Sequence, residues 1–449
     1  ATTVATANAA DNATLTVSTT DAKFAGKTVN AYKMFSATVS GDGKAVSYTL
    51  TDEWKPFFEN SVGLTDVTDA NVNDKANEYV SKLTGKEKDL SAFAAKASNW
   101  AQTNNITADA TATVSKNAAT DGKYTATFTN LDYGYYVVAV PGATVADTNS
   151  QYAALVRVHS TSVDAEIKGA LPTVDKKVQV NGTGKDATDA KIGDTLTFTL
   201  TSTIPDMSAY STYTFNFKDT LSKGLTFGQV TSVKVENVTL TENTDYTVTT
   251  PTASNNNTLT VAMKDFKTKQ QANAGKKITV TYTATLNENA VVGGAGNVNS
   301  AKIQYSNNPS TNGTGESEPS KVRVFTYGFT VDKYTGDQYT DAATRLAGAE
   351  FTLAHKDGSA ISFVQVSAGS ATANAVYRVA KAGETGTTTI TTPANGKVVF
   401  EGLENGEYTL TETKAPAGYN KLASAIGVKV DGQNNGTDTT NATVTITYN

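Results

Sequence analysis

ITVTYTATL, residues 278–286, places apolar side chains at every second position with threonine between them. A period of two is that of a β-strand with one buried face, and threonine on the other face also favours extended backbone. LTFTLTSTI (196–204) and VTITY (444–448) repeat the pattern. Such strands pair into antiparallel sheets with the apolar face turned inward. Working outward from them, the chain reads as mainly β, built of sandwiches.

Its length of 449 residues suggests about three domains. The 38 basic and 43 acidic residues leave a net charge of −5, and only Arg157, Arg323, Arg345 and Arg378 are arginines. A nucleic-acid binder would be basic and clustered in Arg, so that class is excluded. Cysteine is absent, which removes disulfides, thiolate nucleophiles and Cys-based metal sites. The two histidines, His159 and His355, stand far apart without a motif and read as surface or strand-end residues. No apolar run is long enough to span a membrane. The opening ATTVATANAADNATLTV (1–17) lacks the basic start and apolar stretch of a signal peptide and reads as a mature end. No cofactor is expected.

One region departs from period two. Between about residues 52 and 101, NDKANEYVSKL (73–83) puts Ala76, Tyr79, Val80 and Leu83 on one helical face. LSAFAAKASNW (90–100) does the same with Phe93, Ala94, Ala97 and Trp100. The first domain is thus a sandwich carrying a helical insertion. Composition shifts around AEIKGALPT (165–173) and the polar NNPSTNGTGESEPSK (307–321) place the domains at 1–168, 169–323 and 324–449, with the second stretch a linker or exposed loop.

After each junction the sequence resumes similarly, with PTVDKKV (172–178) and FTVDKYT (329–335). Strand parity sets Lys176 beside Val174 and Val178, and Lys333 beside Phe329 and Val331. A lysine on a core face is unusual. Its ammonium costs several kcal/mol there, on the order of a lost ion pair, unless it is paired or deprotonated. Burial lowers its pKa and yields a nucleophilic amine. The plainer alternatives are edge strands whose lysines reach water, or a buried Lys–acid salt bridge.

The last third decides between them by resemblance. LAGAEFTLAHKDG (346–358) and VVFEGLENGEYTLTETKAPAGYN (398–420), followed by VTITYN (444–449), resemble the B-type repeat of the staphylococcal collagen-binding surface protein. YTLTETKAPAGY is similar to that family's E-box. The resemblance implies an intramolecular isopeptide bond with Lys333 as amine, Asn449 as amide and Glu412 as catalytic acid. LPTVDKKV (171–178), YTFNFKDTLSKGLTF (213–227) and the 281–309 stretch resemble the second domain of sortase-assembled pilus backbone proteins. That likeness implies Lys176 joined to an Asn on the last strand, with Asp219 as the acid; Asn299, which shares a face with Ala301 and Ile303, is assigned as the amide, and Asn297, of the same parity, comes second. The implied architecture is three tandem Ig-like/Cna-type β-sandwiches, each bond tying the first strand to the last. A loop of 123 residues closed between Lys176 and Asn299 would contribute about 5 kcal/mol, by analogy with a disulfide.

TLTVSTTDAKFAGKTVNAYKMFSAT (14–38) and YTATFTNLDYGYYVVAV (124–140) resemble the N-terminal domain of backbone pilins. No convincing Lys–acid–Asn set accompanies Asp132 there, so no isopeptide bond is expected in this domain. The family joins its subunits through a lysine near the end of the first domain, in a V-x-x-x-Y-P-K-like strand. Val163–Lys168 lacks the Tyr-Pro, but Lys168 sits eight residues before Lys176, about where the resemblance puts the linking lysine, which leaves it as the candidate.

The resemblance implies the shaft subunit of a Gram-positive surface pilus, extracellular and anchored to the cell wall. Its partners would be identical subunits joined covalently head to tail, a pilus-specific sortase, minor tip and basal pilins, and a host matrix or glycan. The sorting signal that would supply the acyl donor is not found before Asn449. The alternative is a non-polymerising or tip adhesin that binds host matrix or glycan. An enzyme such as a glycoside hydrolase would need paired carboxylates in a cleft, and acids such as Asp341 and Glu350 read as strand-end or solvated groups.

Overall fold

The computed structural model describes residues 12–449 except 41, 43–44, 145–151, 337–343 and 434–442, so Asp341 lies outside the described residues. Strands dominate. No sheet draws strands from more than one of the segments 13–166, 175–325 and 327–448.

In the first segment Ala13–Thr19 lies between Tyr124–Leu131, antiparallel, and Ser162–Glu166, parallel. The facing sheet runs Val46–Leu50, Thr28–Val39, Gly134–Ala139, Ala153–Val158, with Ala110–Thr113 added on Thr28–Val39. In the chain the helical insertion comes between Val46–Leu50 and Ala110–Thr113, with α-helices Lys55–Asn60, Val72–Ser81 and Glu87–Thr103. Acidic residues open the first turns, Asp52 and Glu53 in the 3-10 lead-in and Glu87 and Asp89 in the long helix, where they complement the helix dipole. Ala76, Val80, Phe93, Ala94 and Ala97 are buried, and Tyr79, Leu83 and Trp100 pack at the margin. The helices enclose a second core around Trp54, Phe57, Phe58 and Phe93, closed on the sheet side by Tyr32, Phe35 and Val137.

The middle segment is a two-sheet sandwich. One sheet runs Thr183–Lys185, Asp175–Val180, Thr195–Thr203, Lys277–Leu286, Leu225–Val235, Val238–Thr239. The other runs Ala187–Asp189, Ser320–Phe325, Asn297–Ser306, Phe215–Leu221, Thr258–Met263, Tyr246–Thr249. Burial alternates strictly along Phe215–Leu221 and Lys277–Leu286, so period two in the sequence is the inside–outside alternation of the sandwich. The strand bearing Asn299 is not the last of its sheet, contrary to the sequence expectation. The polar stretch 307–321 is an exposed excursion rather than a linker between domains. Thr314–Glu316 pairs back on Gln304–Ser306, and the chain returns through Ser320–Phe325 to pair with Asn297–Ala301.

The last segment pairs Tyr327–Asp332 with Lys397–Leu403 in one sheet and Thr443–Tyr448 with Ile426–Gln433 in the other. Its first and last strands therefore lie in different sheets. The segments abut closely at both junctions. Ser310 Oγ donates to Gln102 O at 2.7 Å across the first. At the second, Ile192 N donates to Gly402 O at 3.0 Å and Lys381 Nζ lies 2.6 Å from Glu288 Oε2. Gly402, at φ +82°, permits this contact, because a Cβ there would stand 2.5 Å from Ile192 Cδ1.

Candidate functional site

Lys176 is wholly buried on Asp175–Val180, opposite Leu200 of the neighbouring strand. Its backbone N–H donates to Ser320 Oγ at 2.9 Å, tying it to the returning strand of the other sheet. Across the core, Asp219 faces Ala301 and Leu221 faces Asn299, so Asp219 and Asn299 are same-face neighbours on adjacent strands. Both are 0% exposed. Lys176 Nζ donates to Asp219 Oδ2 and, at 2.7 Å, to the Tyr282 hydroxyl. That hydroxyl donates to Asp219 Oδ2 at 2.9 Å and accepts from Asn299 Nδ2 at 3.0 Å.

The walls of the site are apolar and aromatic. Lys176 Nζ lies 4.9 Å from the Phe198 ring centroid and 4.8 Å from that of Tyr282, and these two rings stack at 5.3 Å. Burial pushes the Lys176 ammonium below its ordinary range, against the opposing pull of Asp219. Burial, then the Asp219 charge, holds the Tyr282 hydroxyl well above its ordinary value. Asp219 Oδ1 and Asn299 Oδ1 are buried without a hydrogen-bond partner. Two orphaned acceptors in one site are costly unless a proton turns one into a donor. The cluster therefore holds an amine made easier to deprotonate, a carboxyl beside it, and a primary amide whose carbonyl is unengaged.

Asn297 shares the core-facing parity but has a different role. Its Oδ1 accepts from Val291 N at 2.8 Å, and its Nδ2 donates to Val291 O and Val324 O, each at 3.1 Å. All its polar groups are engaged in holding a loop and the returning strand. The geometry favours Asn299 of the two.

In the last segment the structure gathers two of the three expected residues. Glu412 is buried on Gly406–Lys414, and Lys333 follows Tyr327–Asp332 with its side chain 13% exposed. Nζ lies 3.3 Å from Glu412 Oε1 as an ion pair without hydrogen-bond geometry, so that oxygen has no hydrogen-bond partner. Glu412 Oε2 accepts from Leu422 N at 2.7 Å. Asn449 is elsewhere. It is exposed, and its Oδ1 accepts from Gly427 N at 2.7 Å. Parity is the reason: Val444 and Ile446 pack on the core, so Asn449 falls on the outer face with Thr445 and Thr447. The expectation that Asn449 joins Lys333 and Glu412 is thus not met in this geometry.

Lys168 is exposed, just past Ser162–Glu166 and between buried Ile167 and the middle segment. In the first segment Asp132 is half-exposed and pairs with Lys33 Nζ at 3.3 Å. Among the described residues no group of three or more His, Asp or Glu could hold a metal ion, and no helix is long and apolar enough to cross a membrane. The sequence reading missed Tyr282. Its signal was a polar aromatic on the core face of an otherwise aliphatic strand, where a hydroxyl needs a partner.

Residues 192–309 match the family described as Gram-positive pilin backbone subunit 2, Cna-B-like domain, and residues 337–445 match SpaA, the prealbumin-like fold domain. Two successive stretches of the chain thus match a pilin-backbone domain and a prealbumin-like domain. Over 277 residues it is 25% identical to the trypsin-resistant surface T6 protein of Streptococcus pyogenes serotype M6, covering 56% of this chain and 44% of that one. It thus spans under half the length of this curated relative. The fold is similar to the T6 backbone pilin of serotype M6 S. pyogenes, described as a modular three-domain structure, with TM-score 0.51 and 21% identity over 95% of this chain and 84% of that one. The 35 kDa C-terminal fragment of the Streptococcus agalactiae major pilin GBS80 aligns at TM-score 0.46 and 25% identity, over 58% of this chain and 91% of that one.

Proposed function

We propose that this chain is the repeating shaft subunit of a covalently assembled Gram-positive pilus, its middle domain locked by a self-formed Lys176–Asn299 isopeptide bond. The observation that carries the reading is the sealed cluster of Lys176, Asp219 and Asn299, the last two of which fall within residues 192–309, the stretch that matches a pilin-backbone family.

The chemistry follows from the contacts. Lys176 passes a proton to Asp219, leaving a neutral amine. Nζ attacks Cγ of Asn299, the protonated carboxyl supports the oxygen where charge develops, and ammonia leaves. An amide remains between opposite sheets. Apolar walls exclude water, which would otherwise compete for the Asn299 carbonyl. The event happens once per chain and is not turnover on an external substrate.

In this reading Lys168 is the exposed amine that accepts the neighbouring subunit from a pilus sortase. Identical subunits then follow head to tail, with minor pilins at tip and base, on an extracellular fibre anchored to the cell wall. The test is to express the full precursor with its sortase and compare it with Lys168→Ala. A detergent-resistant ladder from the native chain that vanishes in the variant is the expected result. A ladder unchanged in Lys168→Ala removes that lysine from the proposal, and no ladder from the native chain overturns the shaft reading.

A further inference from the structure

Tyr282 uses its whole hydrogen-bonding capacity on the reacting groups. A phenol offers one donor and two acceptor positions. Here the donor goes to Asp219 Oδ2 at 2.9 Å, and the acceptors take Lys176 Nζ at 2.7 Å and Asn299 Nδ2 at 3.0 Å. A core tyrosine with only a packing role needs a single partner. This one touches the nucleophile, the acid and the leaving nitrogen together.

Asn299 cannot expel an unprotonated amide nitrogen, because NH2⁻ is too poor a leaving group. Nδ2 must gain a proton. The hydrogen bond recorded for Nδ2 is the one to the Tyr282 hydroxyl, and none runs directly between it and Asp219. We propose that the Tyr282 hydroxyl is a catalytic group of the crosslinking reaction, relaying the proton of Asp219 to the departing Nδ2 of Asn299. This rests on the Lys176–Asn299 reading above.

Atoms and charges balance through the relay. Nζ gives one proton to Asp219 Oδ2. The neutral amine attacks Cγ, forming Nζ–Cγ and placing the carbonyl electron pair on Oδ1, with Nζ now positive. Protonated Asp219 then donates to the Tyr282 oxygen, reversing the hydrogen bond seen in the resting site. The hydroxyl's own proton passes to Nδ2. Asp219 takes a proton back from Nζ, Oδ1 restores the carbonyl, Cγ–Nδ2 breaks, and NH3 departs. The site begins as ammonium and carboxylate and ends as amide, ammonia and carboxylic acid, with net charge zero throughout. The high proton affinity of the buried hydroxyl keeps Tyr282 neutral between transfers.

Tyr282→Phe tests this, because it keeps the ring stacked on Phe198 and removes only the oxygen. Native chain and variant are made by pulsed cell-free synthesis, and the fraction of newly made chain that has lost ammonia, about 17 Da, is followed in time by intact mass. Complete bonding in the native chain and at least tenfold slower bonding in Tyr282→Phe are expected. Equal rates overturn the relay while leaving the crosslink standing. A native chain with no mass loss overturns the crosslink itself, so the two failures are distinguishable. If Tyr282→Phe does not fold, site-specific 3-fluorotyrosine at position 282 keeps the size and the hydroxyl but changes its acidity. A shifted rate and pH profile support the relay, and an unchanged profile overturns it.

Discussion

The middle and last domains bury the same kind of pair, lysine with carboxylate, and differ in everything around it. In the middle domain Lys176 and Asp219 are both 0% exposed, with a phenol and a primary amide completing the set. In the last, Lys333 keeps an opening to solvent, and the amide expected to complete the set faces outward on Gly427. A buried lysine and acid together therefore do not complete the set of groups that a crosslink needs. The third strand must also present its amide on the core face, and a single residue of parity decides that.

Asp219→Ala gives the largest expected effect. It abolishes ammonia loss in the middle domain and leaves the Lys176 charge unpaired in an apolar core, a cost of about 3–5 kcal/mol. Denaturant melting with intact mass reads both. Retained bonding would remove Asp219 from the mechanism.

Mechanical extension sharpens the comparison next. With Lys176 joined to Asn299, the residues sealed between them cannot unravel. Because Ser320–Phe325 follows the bonded strand, the chain from Asn299 to Thr326 remains free to peel. Pulling should release roughly 90 Å from this domain at about 3.4 Å per residue. Release of the whole domain would mean that no bond spans it.

The pH dependence of an unbonded variant is a smaller effect. In Asn299→Ala, Lys176 remains an amine whose pKa burial lowers from 10.5. Between that lowered value and 10.5 the unfolded chain binds more protons, so stability rises with pH across the window and levels off above it. The slope is at most about 1.4 kcal/mol per pH unit. Lys176→Met in the same background should flatten it. In the last domain Glu412→Gln should change stability least, by about 1 kcal/mol, since Lys333 can turn to water and Leu422 N keeps an acceptor. A loss as large as that from Asp219→Ala would erase the contrast between the sites.

Much of the middle site was legible because parity is a local property. PTVDKKV puts Lys176 between two core valines, and the alternation of 297–303 puts Asn299 inward. The structural difference between Asn297 and Asn299 was not legible, because it depends on whether Val291 and Val324 engage the amide. Nor was the returning strand Ser320–Phe325, which the expected boundary at 323/324 cuts in two, because a short apolar run after a polar stretch carries no signal of its partner strand. Asn449 was carried over by its place near the end of a strand, whereas Val444 and Ile446 already fixed the opposite face as the inner one. The helical insertion was read well, because its apolar faces repeat over several turns.

The most direct test is the intact mass of the purified native chain with peptide mapping. The account predicts a deficit of about 17 Da, one ammonia, and a joined peptide linking Lys176 to Asn299. No deficit would contradict the self-crosslinking mechanism. A deficit of about 34 Da, with a second peptide joining Lys333 to Asn449, would contradict the distinction drawn between the two domains.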